Sequence, residues 1–119
     1  MYSAQLLDHF QNPRNVGDLP DPDTLVEIEN PVCGDVLRLS LKIDGGRIVS
    51  VRFKAKGCVP SIACGSALTE LIAGKTPEQV RRLARNDIEA AIGGLPQATA
   101  HAAQLALDAL AASLQQVGK

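Results

Sequence analysis

Two runs of alternating side chains, separated by Asp44-Gly45-Gly46, restrict this chain more than any other feature. From Val36 to Ile43, Leu37, Leu39, Leu41 and Ile43 fall on one side, with Arg38, Ser40 and Lys42 on the other. From Ile48 to Ala55, Val49, Val51, Phe53 and Ala55 oppose Ser50, Arg52 and Lys54. A period of two puts alternate residues on opposite faces of a strand, so both runs read as strands with one buried face. The glycine-rich connection joins them as an antiparallel hairpin. A three-residue loop pairs Ile43 with Arg47, and therefore Leu41 with Val49, Leu39 with Val51 and Leu37 with Phe53. A two-residue loop would set apolar against polar positions and turn the wrong face to the core. The favoured register, extended, brings Asp35 beside Ala55 and Cys33 beside Gly57, so Cys33, Asp35 and Cys58 should meet at the hairpin's open end.

The strand ends in Lys56-Gly57-Cys58, and a helix follows. Pro60 suits a first helical position, where its missing N–H would find no partner anyway. Ile62, Leu68, Leu71 and Ile72 recur at roughly helical spacing, and Gly74 is a left-handed stop. Cys58 therefore stands at a helix start, where the positive end of the macrodipole favours the thiolate. Thiolate is the form that binds metal or accepts sulfur.

The remaining elements follow from capping and periodicity. Tyr2 to Gln11 reads as an amphipathic helix with Leu6, Leu7 and Phe10 on its apolar side, ended by Asn12-Pro13. His9, beside Asp8, belongs on its solvated face. Arg14 to Asp23, broken by Gly17, Pro20 and Pro22, is a connector, so residues 1–23 are expected to be a mobile helix and linker. Leu25 to Glu29 is a short third strand. Thr76-Pro77-Glu78-Gln79 forms a capping box for a helix to about Ala84. Asp87 to Ile92 adds a turn or two. Pro96 opens the last helix, to about Gln116, with Leu107, Leu110, Leu114 and Val117 as its stripe and His101 in its second turn. A single α+β domain spanning residues 1–119 results: a small three-stranded antiparallel sheet with helices packed on one face.

Composition narrows the function. With 119 residues the chain holds one core. Twelve basic against thirteen acidic residues give a net charge of -1, which disfavours a nucleic-acid or anionic-membrane partner. No run approaches the ~20 apolar residues of a membrane span, and no signal peptide is visible at the start. A cytoplasmic location is expected. Three cysteines, an odd number, do not make a disulfide framework.

Cys33, Asp35, Cys58 and His101 form the chemical constellation. Thiolates, carboxylate and imidazole together can fill a tetrahedral site for zinc, or hold iron or an iron–sulfur cluster. Gly34 and Gly57 would let backbone approach an ion closely. The spacing alone is equally compatible with two inert cysteines and a surface aspartate, and a lone helical histidine is more often not a ligand. Cys64 reads as a small buried hydrophobe; its alternative role is a spare thiol in the Cys58 pocket. Gly74-Lys75-Thr76 is no phosphate loop, since position 69 is Thr69 and a helix, not a strand, precedes it.

Five stretches, in order, resemble one known family: D-H-F-Q-N-P-R-N-V-G at 8–17, N-P-V-C-G-D at 30–35, R-F-K-A-K-G-C at 52–58, T-E-L-I-A-G-K at 69–75 and L-P…H at 95–101. The chain is identified by them as similar to the NifU N-terminal, IscU-type iron–sulfur cluster assembly scaffolds. The resemblance implies a scaffold, not an enzyme. On it a cysteine desulfurase delivers sulfur, and a transient [2Fe–2S] cluster is built and passed to acceptor proteins. Residue by residue, it assigns Cys33 and Cys58 to two of three ligand cysteines, Asp35 to the C-G-D aspartate and His101 to the histidine before the third cysteine.

That third cysteine is Ala102 here. The segment for Hsp70-type chaperone recognition keeps only Leu95-Pro96, followed by Gln97-Ala98-Thr99, which argues against recruitment of that chaperone. With one thiolate fewer, the set also suits zinc, so a zinc-binding persulfide acceptor is the alternative, beside a divergent paralogue that builds no cluster. Cys64 would complete a three-thiol set if it reached the pocket.

Overall fold

The computed structural model describes residues 2–31 and 34–117. The alternating runs are neighbouring antiparallel strands, β2 (Val36–Asp44) and β3 (Arg47–Lys56), and β1 (Thr24–Glu29) pairs with the other edge of β2. Leu37, Leu39, Leu41, Val51 and Phe53 are buried on one face, as the alternation requires.

The register differs from the expectation by two positions. Gly45 and Gly46 both adopt positive φ, 59° and 76°, and form a two-residue turn that pairs Asp44 with Arg47. Two left-handed residues in a row give the turn twist that matches paired strands. Such a turn alone would invert the faces. The ladder corrects itself by slipping one residue between Lys42 and Ile43, which leaves Val49 51% exposed and restores Leu41 opposite Val51 and Leu39 opposite Phe53. A bulge of this kind absorbs one extra residue on one strand. Leu37 consequently faces Ala55, and Ile48 is buried in place of Val49.

Helices α1 (Ala4–Gln11), α2 (Val59–Ile72), α3 (Pro77–Val80), α4 (Arg85–Ala91) and α5 (His101–Val117) complete the fold. α2 and α5 lie against the sheet's apolar face, and Gly65 of α2 is so close to Phe53 that a Cβ there would stand 2.7 Å from the ring. Thr76 and Gln79 make the capping box of α3. α5 begins later than expected. Gln97–Thr99 is a 3-10 turn, which makes His101 the first residue of α5 and not part of its second turn. Its buried face includes Leu105, Leu110, Leu114 and Ser113, but Ala102, Ala103, Ala106 and Ala109 supply half of it, while Leu107 and Val117 are half-buried. Alanines win those positions because they let two backbones approach.

Residues 12–23 make hydrogen bonds and ion pairs to the sheet. Asn15 and Gly17 exchange backbone hydrogen bonds with Phe53, both 2.9 Å, which covers the outer edge of β3. The segment then crosses the polar face of the sheet, where Asp18 meets Arg38 at 3.0 Å and Lys54 at 3.2 Å. On the far edge the Gln116 amide brackets the Leu25 backbone, 3.1 and 3.2 Å. Among the described residues no helix is long and apolar enough to cross a membrane.

His9 departs from expectation. It is 7% exposed, with Nδ1 2.7 Å from Ser66 Oγ and Nε2 3.5 Å from Glu70 Oε1. α1 lies on α2 through Leu6 and His9, one turn apart, and Leu7 is left 38% exposed. Burial holds the His9 imidazole below its ordinary 6.5. Acidification through 6.5 therefore protonates the unfolded chain first, and stability is lost as pH falls. The urea midpoint is expected to drop between about pH 7.5 and about pH 5.5. A His9→Gln variant should lose most of that slope, and an unchanged slope would refute the assignment.

Candidate metal centre

The site is built where β2 begins and β3 hands over to α2. One step beyond the Val36–Lys56 pair, Asp35 comes opposite Gly57, not Ala55 as the shorter register required. Gly57 has a specific steric function: a Cβ there would lie 2.4 Å from both Cγ and Oδ1 of Asp35. The glycine makes room for the carboxylate. Gly34 (φ 76°) supplies a turn, with its N–H donating to the Asn30 carbonyl at 2.7 Å.

Cys58 is the N-cap of α2, and its Sγ lies 3.0 Å from Asp35 Oδ2. The Cys58 N–H points at the same oxygen from 3.4 Å. Ser61, fully buried, donates to Asp35 Oδ2 at 2.6 Å and lies 3.3 Å from Cys58 Sγ. Asp35 itself is 6% exposed. His101 reaches the group from the start of α5, and its buried Nε2 has no hydrogen-bond partner among the described residues. One donor atom from each of Asp35, Cys58 and His101 lies within 4.8 Å of the others. Bonds of about 2.0–2.3 Å hold two donors no more than about 4.6 Å apart around one ion, so these three are gathered at nearly the spacing an ion needs. A buried imidazole nitrogen without a partner is costly unless something binds it.

The thiol is not in the state the helix dipole favours. Burial pushes Cys58 above its ordinary value and the adjoining Asp35 adds to the rise, while the Ser61 hydroxyl works in the opposite direction. Low dielectric and a neighbouring carboxylate outweigh a partial charge at the helix end. A metal would reverse this, since a cation displaces the proton from a ligating thiol.

Cys64 is outside this group. It is fully buried among the core residues, and burial pushes its thiol up to about 12. Ala102 is buried and offers no donor. Cys33 lies outside the described residues. Ser61 was not singled out from the sequence, although a signal was there: it occupies the third helical position after the Cys58 N-cap, the place from which a side chain faces the cap.

The sequence profile of the NifU-like N terminal domain matches residues 1–118. The chain is 44% identical over 110 residues to the iron-sulfur cluster assembly scaffold protein IscU 1 of Archaeoglobus fulgidus, covering 92% of this chain and 72% of that one. It is 40% identical over 111 residues to the iron-sulfur cluster assembly scaffold protein IscU of Aquifex aeolicus, covering 92% and 71%. The fold is shared with the N-terminal NifU-like protein of Brucella abortus, at a TM-score of 0.82 and 19% identity, covering 98% of this chain and 93% of that one. It is shared too with a scaffold protein from Fervidobacterium islandicum, at 0.81 and 23%, covering 95% and 96%. With its profile matched from end to end and its relatives aligned over most of their length, the chain belongs to the NifU-like N terminal domain family.

Proposed function

We propose that this protein is a scaffold on which an iron–sulfur cluster is assembled and held for transfer, with Cys33, Asp35, Cys58 and His101 as ligands. The observation that carries the reading is the convergence of one donor atom each from Asp35, Cys58 and His101 within 4.8 Å, beside a buried His101 Nε2 that has no hydrogen-bond partner among the described residues. The relatives' names agree with it: two are called iron-sulfur cluster assembly scaffold proteins. On this reading the protein acts as a carrier, which binds its cargo and gives it up. Iron and sulfide are its cargo, and a cysteine desulfurase is the expected sulfur donor.

The chain's own residues account for holding and release. Cys58 binds as the thiolate and releases its proton to solvent as the cation arrives, with Asp35 Oδ2 3.0 Å away kept as a carboxylate to bind beside it. Carboxylate oxygen is a hard donor and a poor partner for a cluster iron, so Asp35 keeps the cargo exchangeable. The short match to the chaperone segment at 95–99 fits transfer to acceptor proteins without a dedicated Hsp70-type chaperone.

Anaerobic reconstitution with ferrous iron, cysteine, a desulfurase and excess dithiothreitol, which reduces the delivered persulfide sulfur to sulfide, is expected to give a cluster chromophore, lost in Cys58→Ala. A folded protein that forms no chromophore would refute assembly. A second reading, a zinc-binding persulfide acceptor, is favoured by the mixed sulfur, oxygen and nitrogen donors of the site. Stoichiometric zinc in the purified protein, absent from Cys58→Ala, together with no chromophore, would establish it.

A further inference from the structure

We infer that Ser61 is a positioning residue of the metal site, fixing the Asp35 carboxylate over the Cys58 sulfur through its hydroxyl. The inference rests on the metal-holding reading above and extends it to a residue that is not itself a ligand. Ser61 is fully buried, so its hydroxyl has no bulk water to turn to and must be satisfied within the site. It makes the shortest of the contacts described at Asp35 Oδ2, 2.6 Å, against 3.0 Å from Cys58 Sγ and 3.4 Å from Cys58 N–H.

These contacts have different fates when an ion arrives. Cys58 ligates as the thiolate, so its S–H bond to Asp35 disappears on loading. The Ser61 O–H persists, because a carboxylate oxygen has a lone pair for a donor and another for a metal. Ser61 is thus the shorter of the two contacts that carry over from the proton-bearing to the metal-bearing site, the other being the Cys58 N–H at 3.4 Å. Hydrogen bonds from residues behind the ligands orient them, and losing one typically costs about 10–100-fold in metal affinity. Its placement on rigid α2, three residues after the Cys58 N-cap, means that one helical turn sets sulfur and carboxylate together.

Cobalt(II) titration of the reduced full chain, followed by thiolate charge-transfer and d–d absorption, tests this. Ser61→Ala is expected to weaken cobalt binding about 10–100-fold and to shift the d–d bands. Ser61→Thr, which keeps the hydroxyl, should restore both. The decisive comparison is in the Asp35→Ala background, where adding Ser61→Ala should change affinity less than about twofold if the hydroxyl acts through Asp35. An equal loss in that background would overturn the inference, as would wild-type affinity and spectrum in Ser61→Ala. Both of those results leave the metal reading intact. If the wild-type protein bound no cobalt, the metal reading itself would fall, and this inference with it. Thermal unfolding of each variant confirms that the compared proteins are folded.

Discussion

Phe53→Ala is expected to remove about 3–5 kcal/mol of unfolding free energy, a large part of the roughly 5–15 kcal/mol that holds a small domain together. Phe53 is 2% exposed and is the largest of the fully buried side chains. Its ring is wedged between β2, where it opposes Leu39, and the backbone of α2 at Gly65. Gly65, which faces the ring from α2, has no side chain to swing into the space. Much of the cavity would stay open, which is what makes such truncations expensive. The Phe53 backbone also anchors Asn15 and Gly17, so loosening β3 there should release the N-terminal segment as well. Urea unfolding measures the first effect, and amide exchange at Gly17 measures the second. A loss below about 1 kcal/mol would mean that α2 collapses onto the sheet, and the close Gly65 contact would then be no constraint.

The faces of β2 and β3 were legible because a period of two is written in the side chains themselves. Their register was not. It depends on how a turn and a bulge compensate for one another, and Val49 gives no sign on its own that it will be the residue squeezed out to 51% exposure. Both registers keep the same face inward, so hydrophobic pattern cannot choose between them; the twist imposed by Gly45-Gly46 does. His9 was misplaced for a related reason. A histidine between Asp8 and Phe10 looks solvated until Ser66 and Glu70 of α2 are seen to supply its partners. At the site, strand order and the Gly57-Cys58 sequence were enough to place Asp35 and Cys58 near one corner. The protonation of the thiol and the position of Ser61 were not accessible, because burial and hydrogen bonding are properties of the packed corner, not of its neighbours in sequence.

Gly57→Ala should separate the site from the fold. The new Cβ would lie 2.4 Å from Cγ and Oδ1 of Asp35 and 2.9 Å from its Cβ, and these are atoms of a short side chain with nowhere to swing. Its backbone, at φ 154°, also disfavours an L side chain. The carboxylate has to move off Cys58 and Ser61. Gly57 itself is exposed, while the core face of the sheet lies two residues away at Ala55 and beyond. Global stability should therefore fall by only about 1–3 kcal/mol, the usual range for strain or overpacking. Metal affinity should fall much further, by about 100-fold or more, since displacing a ligand exceeds the effect of disturbing its support. Cobalt titration beside urea unfolding of the same preparation reads the two quantities independently. A Gly57→Ala protein that kept wild-type cobalt affinity would show that Asp35 is not held against the ion, and that the corner binds through its sulfur and imidazole donors alone.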